Sequence, residues 1–298
     1  MSPTRMAIRF LGLWLAYTAG YLASSGLAWM GMELPIPPGQ AATTFGLTCV
    51  LTGADALLAG FLTLRSAWRG PKLVLGLFTA YFGVAGLLAQ IETLVFLKQL
   101  VNVIPDGAFP HILAGIAMHA ALLAVLAPLF FGKLRGASEA NPDAAWLRMP
   151  MGAWAWKLAL GAAGYVVIYL AFGMWVAVPL AGDVFQQFYK GLVLPPWFLP
   201  FQFARGLGWV AVSLPVFFLM RGSPRVAAVA VAILYPTFLG LPLILPNPFF
   251  PDRMRLAHLA ETLSSGIVLG GWVYFVLSLG RRNQTIKNPA GAPASTVP

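Results

Sequence analysis

Residues Pro110–Gly132, PHILAGIAMHAALLAVLAPLFFG, decide the fold. The stretch holds no Asp, Glu, Lys or Arg, and Lys133 and Arg135 follow it directly. Coiled as an α-helix it is roughly 34 Å long, enough to cross a hydrocarbon core of about 30 Å. Working outward, seven more segments read the same way: 8–31, 41–64, 73–97, 157–181, 204–220, 226–247 and 256–280. The run Trp197–Phe203 extends the short sixth span. Composition agrees. Of 298 residues 59% are apolar and only 9% charged, with a mean hydropathy of +0.79, whereas a soluble domain carries about a quarter charged residues. The expected fold is an all-α, polytopic integral membrane bundle of about eight transmembrane helices.

The net charge of +10 does not point to nucleic acid, because the basic residues are scattered in short groups between apolar segments. With the N-terminus inside, only Lys98, Lys190, Arg205, Arg253 and Arg255 fall on the outer side, and the other fourteen of the 19 Lys and Arg fall on the cytoplasmic side. By the positive-inside rule both termini are cytoplasmic. The first segment has an alternative reading as a cleaved signal peptide, with Arg5 and Arg9 in front and small residues at Ala23–Ala28. Its apolar run is long enough to span, which favours a retained helix. The lone Cys49 excludes an intrachain disulfide and any Cys-based metal site, and reads as packing.

Residues 1–282 form a single transmembrane domain on this reading, two four-helix halves joined by a solvated cytoplasmic linker at 133–156. Residues 283–298 form a disordered cytoplasmic tail, where the sequon Asn283-Gln284-Thr285 has no meaning. In the outer loop, Phe185, Phe188 and Tyr189 recur at i, i+3, i+4, which predicts a short helix in the interface, either an aromatic belt or a lid.

The informative residues are those that do not belong in lipid: Asp55, Gln90, Glu92, His111, His119, Arg205, His258 and Glu261. Such groups are costly and face the bundle interior or a wet cavity. Glu92 and Glu261 sit at matched depths, roughly 7–8 Å inside the outer boundary. On the last helix His258, Glu261 and Ser265 share a face, beside a Gly266/Gly270 pair that admits another backbone; small-residue faces of this kind also allow oligomerisation. Asp55 has no partner on its own span. The expected site is a substrate or proton pathway of Glu92, His119, His258, Glu261, Arg205 and Arg255. Arg205, Arg253 and Arg255 rim it, which suits headgroup contact or an anionic or lipid substrate. A mononuclear metal ion held by Glu92, His111 or His119, His258 and Glu261 is a further option. A di-iron centre is disfavoured, because it needs two carboxylate–histidine pairs and two more carboxylates. No P-loop, His-Glu-x-x-His, Gly-x-Ser-x-Gly or dinucleotide pattern occurs, so no nucleotide cofactor is implied.

Two stretches have a rhythm of their own: Gln202-x-x-Arg205-Gly206-x-x-Trp209, and Pro246-Asn247-Pro248-x-x-Pro251-x-x-x-Arg255-x-x-His258-x-x-Glu261. Over about residues 200–270 the chain resembles a group of uncharacterised bacterial multi-pass membrane proteins. The resemblance implies a recurring outer-side constellation and lends no activity. Three function classes stay open: a transport-related or lipid-handling protein with an outward-facing polar cavity, an intramembrane and possibly metal-dependent enzyme, and a structural or accessory subunit.

Overall fold

The computed structural model describes residues 2–31, 40–96, 104, 107–246 and 249–280. Lys98, Asn247-Pro248, the Asn283 sequon and the tail expected to be disordered lie outside them. Eight helices long and apolar enough to cross a membrane follow one another: α1 (Pro3–Ala28), α2 (Ala41–Arg65), α3 (Gly70–Phe96), α4 (Ala108–Phe130), α5 (Met151–Ala181), α6 (Phe198–Leu219), α7 (Pro224–Ile244) and α8 (Asp252–Ser278). Among the described residues there is no strand, only a bridge pairing of Ser66 with Met220. The chain is a multi-pass α-helical membrane protein. Leu15, Val50, Leu75 and Val167 are exposed on the outside of the bundle, as side chains facing acyl chains would be.

One hydrophobic cluster takes residues from every span, among them Leu13, Ala56, Leu77, Ala120, Tyr165, Val210, Leu234 and Val273. α3 leans on α6 across the two halves, where a Cβ on Gly83 would lie 2.6 Å from Val212. Three spans change register along their length, through π-helical turns at Gly83–Leu88 in α3, Gly173–Ala177 in α5 and Pro236–Gly240 in α7.

Contacts between loops fix which helix ends lie together. Ala67 N donates to Leu219 O, Gly70 N to Lys133 O and Arg221 N to Arg65 O. Phe10 near the start of α1 packs edge-on to Phe131, and Lys157 at the start of α5 reaches the end of α8. This end gathers Arg65, Arg69, Lys133 and Arg221 and is called the basic end below. Part of the 133–156 segment, expected as a solvated linker, packs back on the bundle while most of its residues stay exposed. A short 3-10 helix, Pro142–Leu147, lies inside it, Leu147 is buried, and Trp146 packs edge-on against Phe217 and Tyr274. Two of its polar residues cap helix ends. Asn141 Nδ2 donates to the carbonyls of Phe218 (2.9 Å) and Met220 (2.7 Å) at the end of α6. Lys133 Nζ donates to those of Leu64 and Ser66 at the end of α2. Lys157 Nζ does the same for Leu277 and Leu279 at the end of α8. Each cation meets the negative end of a helix dipole and carbonyls with no partner inside their helix.

Candidate functional site

At the end opposite the basic one, the Gln202-x-x-Arg205-Gly206-x-x-Trp209 rhythm becomes one buried face of α6. Gly206 is required there. A Cβ on it would stand 2.8 Å from the Ala162 backbone, so α5 approaches closely enough for Tyr165 and Tyr169 to reach across. Arg205, 6% exposed, places Nη1 2.8 Å from Glu92 Oε2 on α3 and donates from the same nitrogen to Gln202 Oε1 at 2.7 Å. Its Nε and Nη2 both donate to the Leu88 carbonyl, where the π-helical turn of α3 ends. A side chain that takes a backbone carbonyl in this way interrupts the regular ladder. Glu92 Oε1 accepts from Tyr169 (2.6 Å) and Gln202 Nε2 (2.9 Å), and Tyr165 donates to Gln202. The guanidinium also lies over the rings of Tyr165, Tyr169 and Phe201. This network is closed, with almost every donor and acceptor partnered.

The second element of the site is built on α8. His258 Nδ1 lies 2.7 Å from Glu261 Oε2, and His258 Nε2 lies 3.1 Å from the Tyr189 hydroxyl. The imidazole is held edge-on by Tyr189 and Phe250. Tyr189 follows the short helix Asp183–Phe188. Phe185, Phe188 and Tyr189 pack on Ala181, Met254 and Ala257 and so cover the start of α8. A carboxylate facing Nδ1 makes that nitrogen the donor, so Nε2 accepts and Tyr189 O–H donates. Burial first, then the nearby carboxylates Glu92 and Glu261, push the Tyr189 hydroxyl above its ordinary range, which keeps it a donor. Tyr189 thus neighbours both Glu92 and Glu261.

The remaining expected site residues go elsewhere. His119 on α4 stacks on Tyr21 of α1, ring centroids 3.8 Å apart, and bonds to Ser25 at 3.0 Å. His111 bonds to the Ala28 carbonyl and stacks on Trp29. Both therefore serve the α1–α4 seam. Among the described residues no three His, Cys, Asp or Glu side chains converge to hold a metal ion, so the geometry does not assemble Glu92, His111, His258 and Glu261 as ligands. Arg255 closes the 3-10 end of α7, donating to Leu243, Ile244 and Asp252, and Arg253 pairs with Asp183. Of the arginines expected to rim an anion site, Arg205 and Arg255 are thus occupied inside the protein, while the Arg253–Asp183 pair is exposed. Gly266 and Gly270 are occupied too: a Cβ on Gly270 would stand 2.4 Å from Ala232 of α7, so this face serves intrachain packing.

The chain matches no protein family, no curated protein and no solved structure. Function must therefore be argued from these side chains alone. Sequence reasoning missed Tyr169, Gln202 and Tyr189 as members of the site. Gln202 and Arg205 at i, i+3 were a signal for two of these contacts, whereas tyrosines at an interface ordinarily signal only an aromatic belt. It also left Asp55 without a partner; Asp55 Oδ2 in fact lies within hydrogen-bond distance of the hydroxyls of Tyr17 on α1 (3.2 Å) and Tyr81 on α3 (3.4 Å).

Proposed function

We propose that the protein is a transport-related component of the bacterial inner membrane that handles a proton or a protonatable cation at its outer end. On this reading both termini are cytoplasmic and the basic end faces inward, in line with the asymmetry of Lys and Arg. The observation that carries the proposal is the hydroxyl–imidazole–carboxylate relay Tyr189–His258–Glu261. A proton arriving at Nε2 is matched by release from Nδ1 to Glu261, which moves charge one turn deeper along α8 without moving the backbone. Charge supports a cation over an anion: among the described residues Glu261 makes no ion pair with an arginine, and the donors of Arg205 and Arg255 are already engaged. The Arg205–Glu92–Gln202 network is the scaffold that holds α3, α5 and α6 together beneath the relay.

The test is proton uptake by purified protein in liposomes loaded with a pH-sensitive dye, with a potassium diffusion potential as driving force. Wild type takes up protons, and Glu261→Gln loses most of that flux while keeping its thermal unfolding profile. Wild-type flux in a folded Glu261→Gln protein would refute the proposal.

A further inference from the structure

A second polar centre lies among α1, α2 and α3, apart from the relay. Asp55 is 1% exposed and Tyr17 0%. Three oxygens there stand at nearly equal spacing: Tyr17 Oη to Asp55 Oδ2 3.2 Å, Tyr81 Oη to Asp55 Oδ2 3.4 Å, and Tyr17 Oη to Tyr81 Oη 3.3 Å. The other carboxyl oxygen, Oδ1, is buried without any hydrogen-bond partner. None of the ion pairs among the described residues involves Asp55.

These distances discriminate between the two forms of the carboxyl. An ionised Asp55 accepts two phenol protons at Oδ2 and leaves Oδ1 charged in an apolar interior with no protein donor and no paired cation, an uncompensated buried charge. It also leaves the 3.3 Å contact between the two phenol oxygens without a proton. A neutral Asp55 supplies the third hydrogen. Asp55 then donates to Tyr17, Tyr17 to Tyr81 and Tyr81 back to Asp55, so each oxygen donates once and accepts once in a mutually polarising ring. Oδ1 becomes an uncharged carbonyl.

We propose that Asp55 is a proton-binding site, loaded in this structure, and that its discharge is coupled to a change in how α1 and α3 pack on α2. Loss of the proton opens the ring and leaves Oδ1, on a side chain only 1% exposed, in need of a donor that no protein group supplies in the present packing. The titratable groups facing Asp55 are Tyr17 and Tyr21 of α1 and Tyr81 of α3. On α4, His119 stands one layer away, stacked on Tyr21. The π-helical turn of α7 presents Phe238, stacked on Tyr81, and Tyr235 of α7 turns to the Trp209 carbonyl. The ligand is a proton, and the site rests on none of the residues assigned to the relay.

Infrared difference spectroscopy of full-length protein in lipid tests the loaded state. At neutral pH a carboxylic-acid carbonyl band should be present, should shift on carboxyl-13C labelling of aspartate, and should be absent from Asp55→Asn. A second measurement reads the coupling. When alkaline pH bleaches the band, hydrogen exchange of peptides from α1 and α3 should rise in wild type above the rise seen in Asp55→Asn. Should Asp55→Asn fail to fold, Tyr81→Phe replaces it and should move the band, because one ring partner is lost. No aspartic-acid band at neutral pH overturns the proton site. A band that bleaches with equal exchange in both proteins overturns the coupling.

Discussion

Arg205 on α6 and Glu92 on α3 stand 2.8 Å apart, the arginine almost fully buried and the carboxylate a quarter exposed. The pair ties the third span to the sixth. Its partners Gln202, Tyr165 and Tyr169 come from α5 and α6. Removing one member leaves the other desolvated and charged, a loss of about 3–5 kcal/mol for a buried pair. Arg205→Gln should therefore lower thermal stability in detergent sharply, and Glu92→Gln less, because glutamine still accepts from Tyr169. The double variant should lose less than the sum of the two, since they share one network. Additive losses would mean that the pair is not coupled.

Glu261→Gln tests the opposite behaviour. It keeps the shape and most hydrogen bonds of a residue that is 9% exposed, so folding should change little, by roughly 1 kcal/mol or less, in line with polar contacts between helices in membranes. Activity should fall instead. Tyr189→Phe should lower proton flux as well, with its unfolding temperature preserved by the ring's packing on Met254.

Gly270→Leu should force α7 and α8 apart, because even a Cβ there would stand 2.4 Å from Ala232. Overpacking of this kind costs about 1–3 kcal/mol, and more against backbone. Its neighbour Gly271 faces open space, so Gly271→Leu should leave stability nearly unchanged. Equal effects would contradict the α7–α8 contact.

The first helix supplies Leu13 and Tyr17 to the core, and Tyr17 is hydrogen-bonded to Asp55. The mature protein should therefore retain it, and the intact mass of protein purified from membranes should include residues 2–28. A mass matching cleavage after Ala23–Ala28 would show that the bundle tolerates the loss of these contacts.

A reporter fused after Pro298 should be active only as a cytoplasmic fusion. Activity of a periplasm-dependent reporter at that point would reverse the assigned orientation.

The spans were legible along the chain because crossing lipid is a one-dimensional demand: about 20 apolar residues, coiled so that every backbone group is satisfied within its own helix. Pro110–Gly132 and Ala108–Phe130 nearly coincide for that reason. The face of α8 that carries His258 and Glu261 was legible too, as it is local periodicity. Which spans touch is a different matter, set by close approaches such as Gly206 on Ala162 and Gly270 on Ala232, which depend on three-dimensional packing. Only the tertiary structure could send His119 and His111 to α1 rather than to Glu92, and give Asp55 two tyrosines from other helices. It likewise turned Asn141 and Lys133, polar residues of an apparent linker, into caps for helices roughly 70–80 positions away in sequence. A helix end needs a donor and takes whichever one packing brings near, and sequence order does not record that proximity.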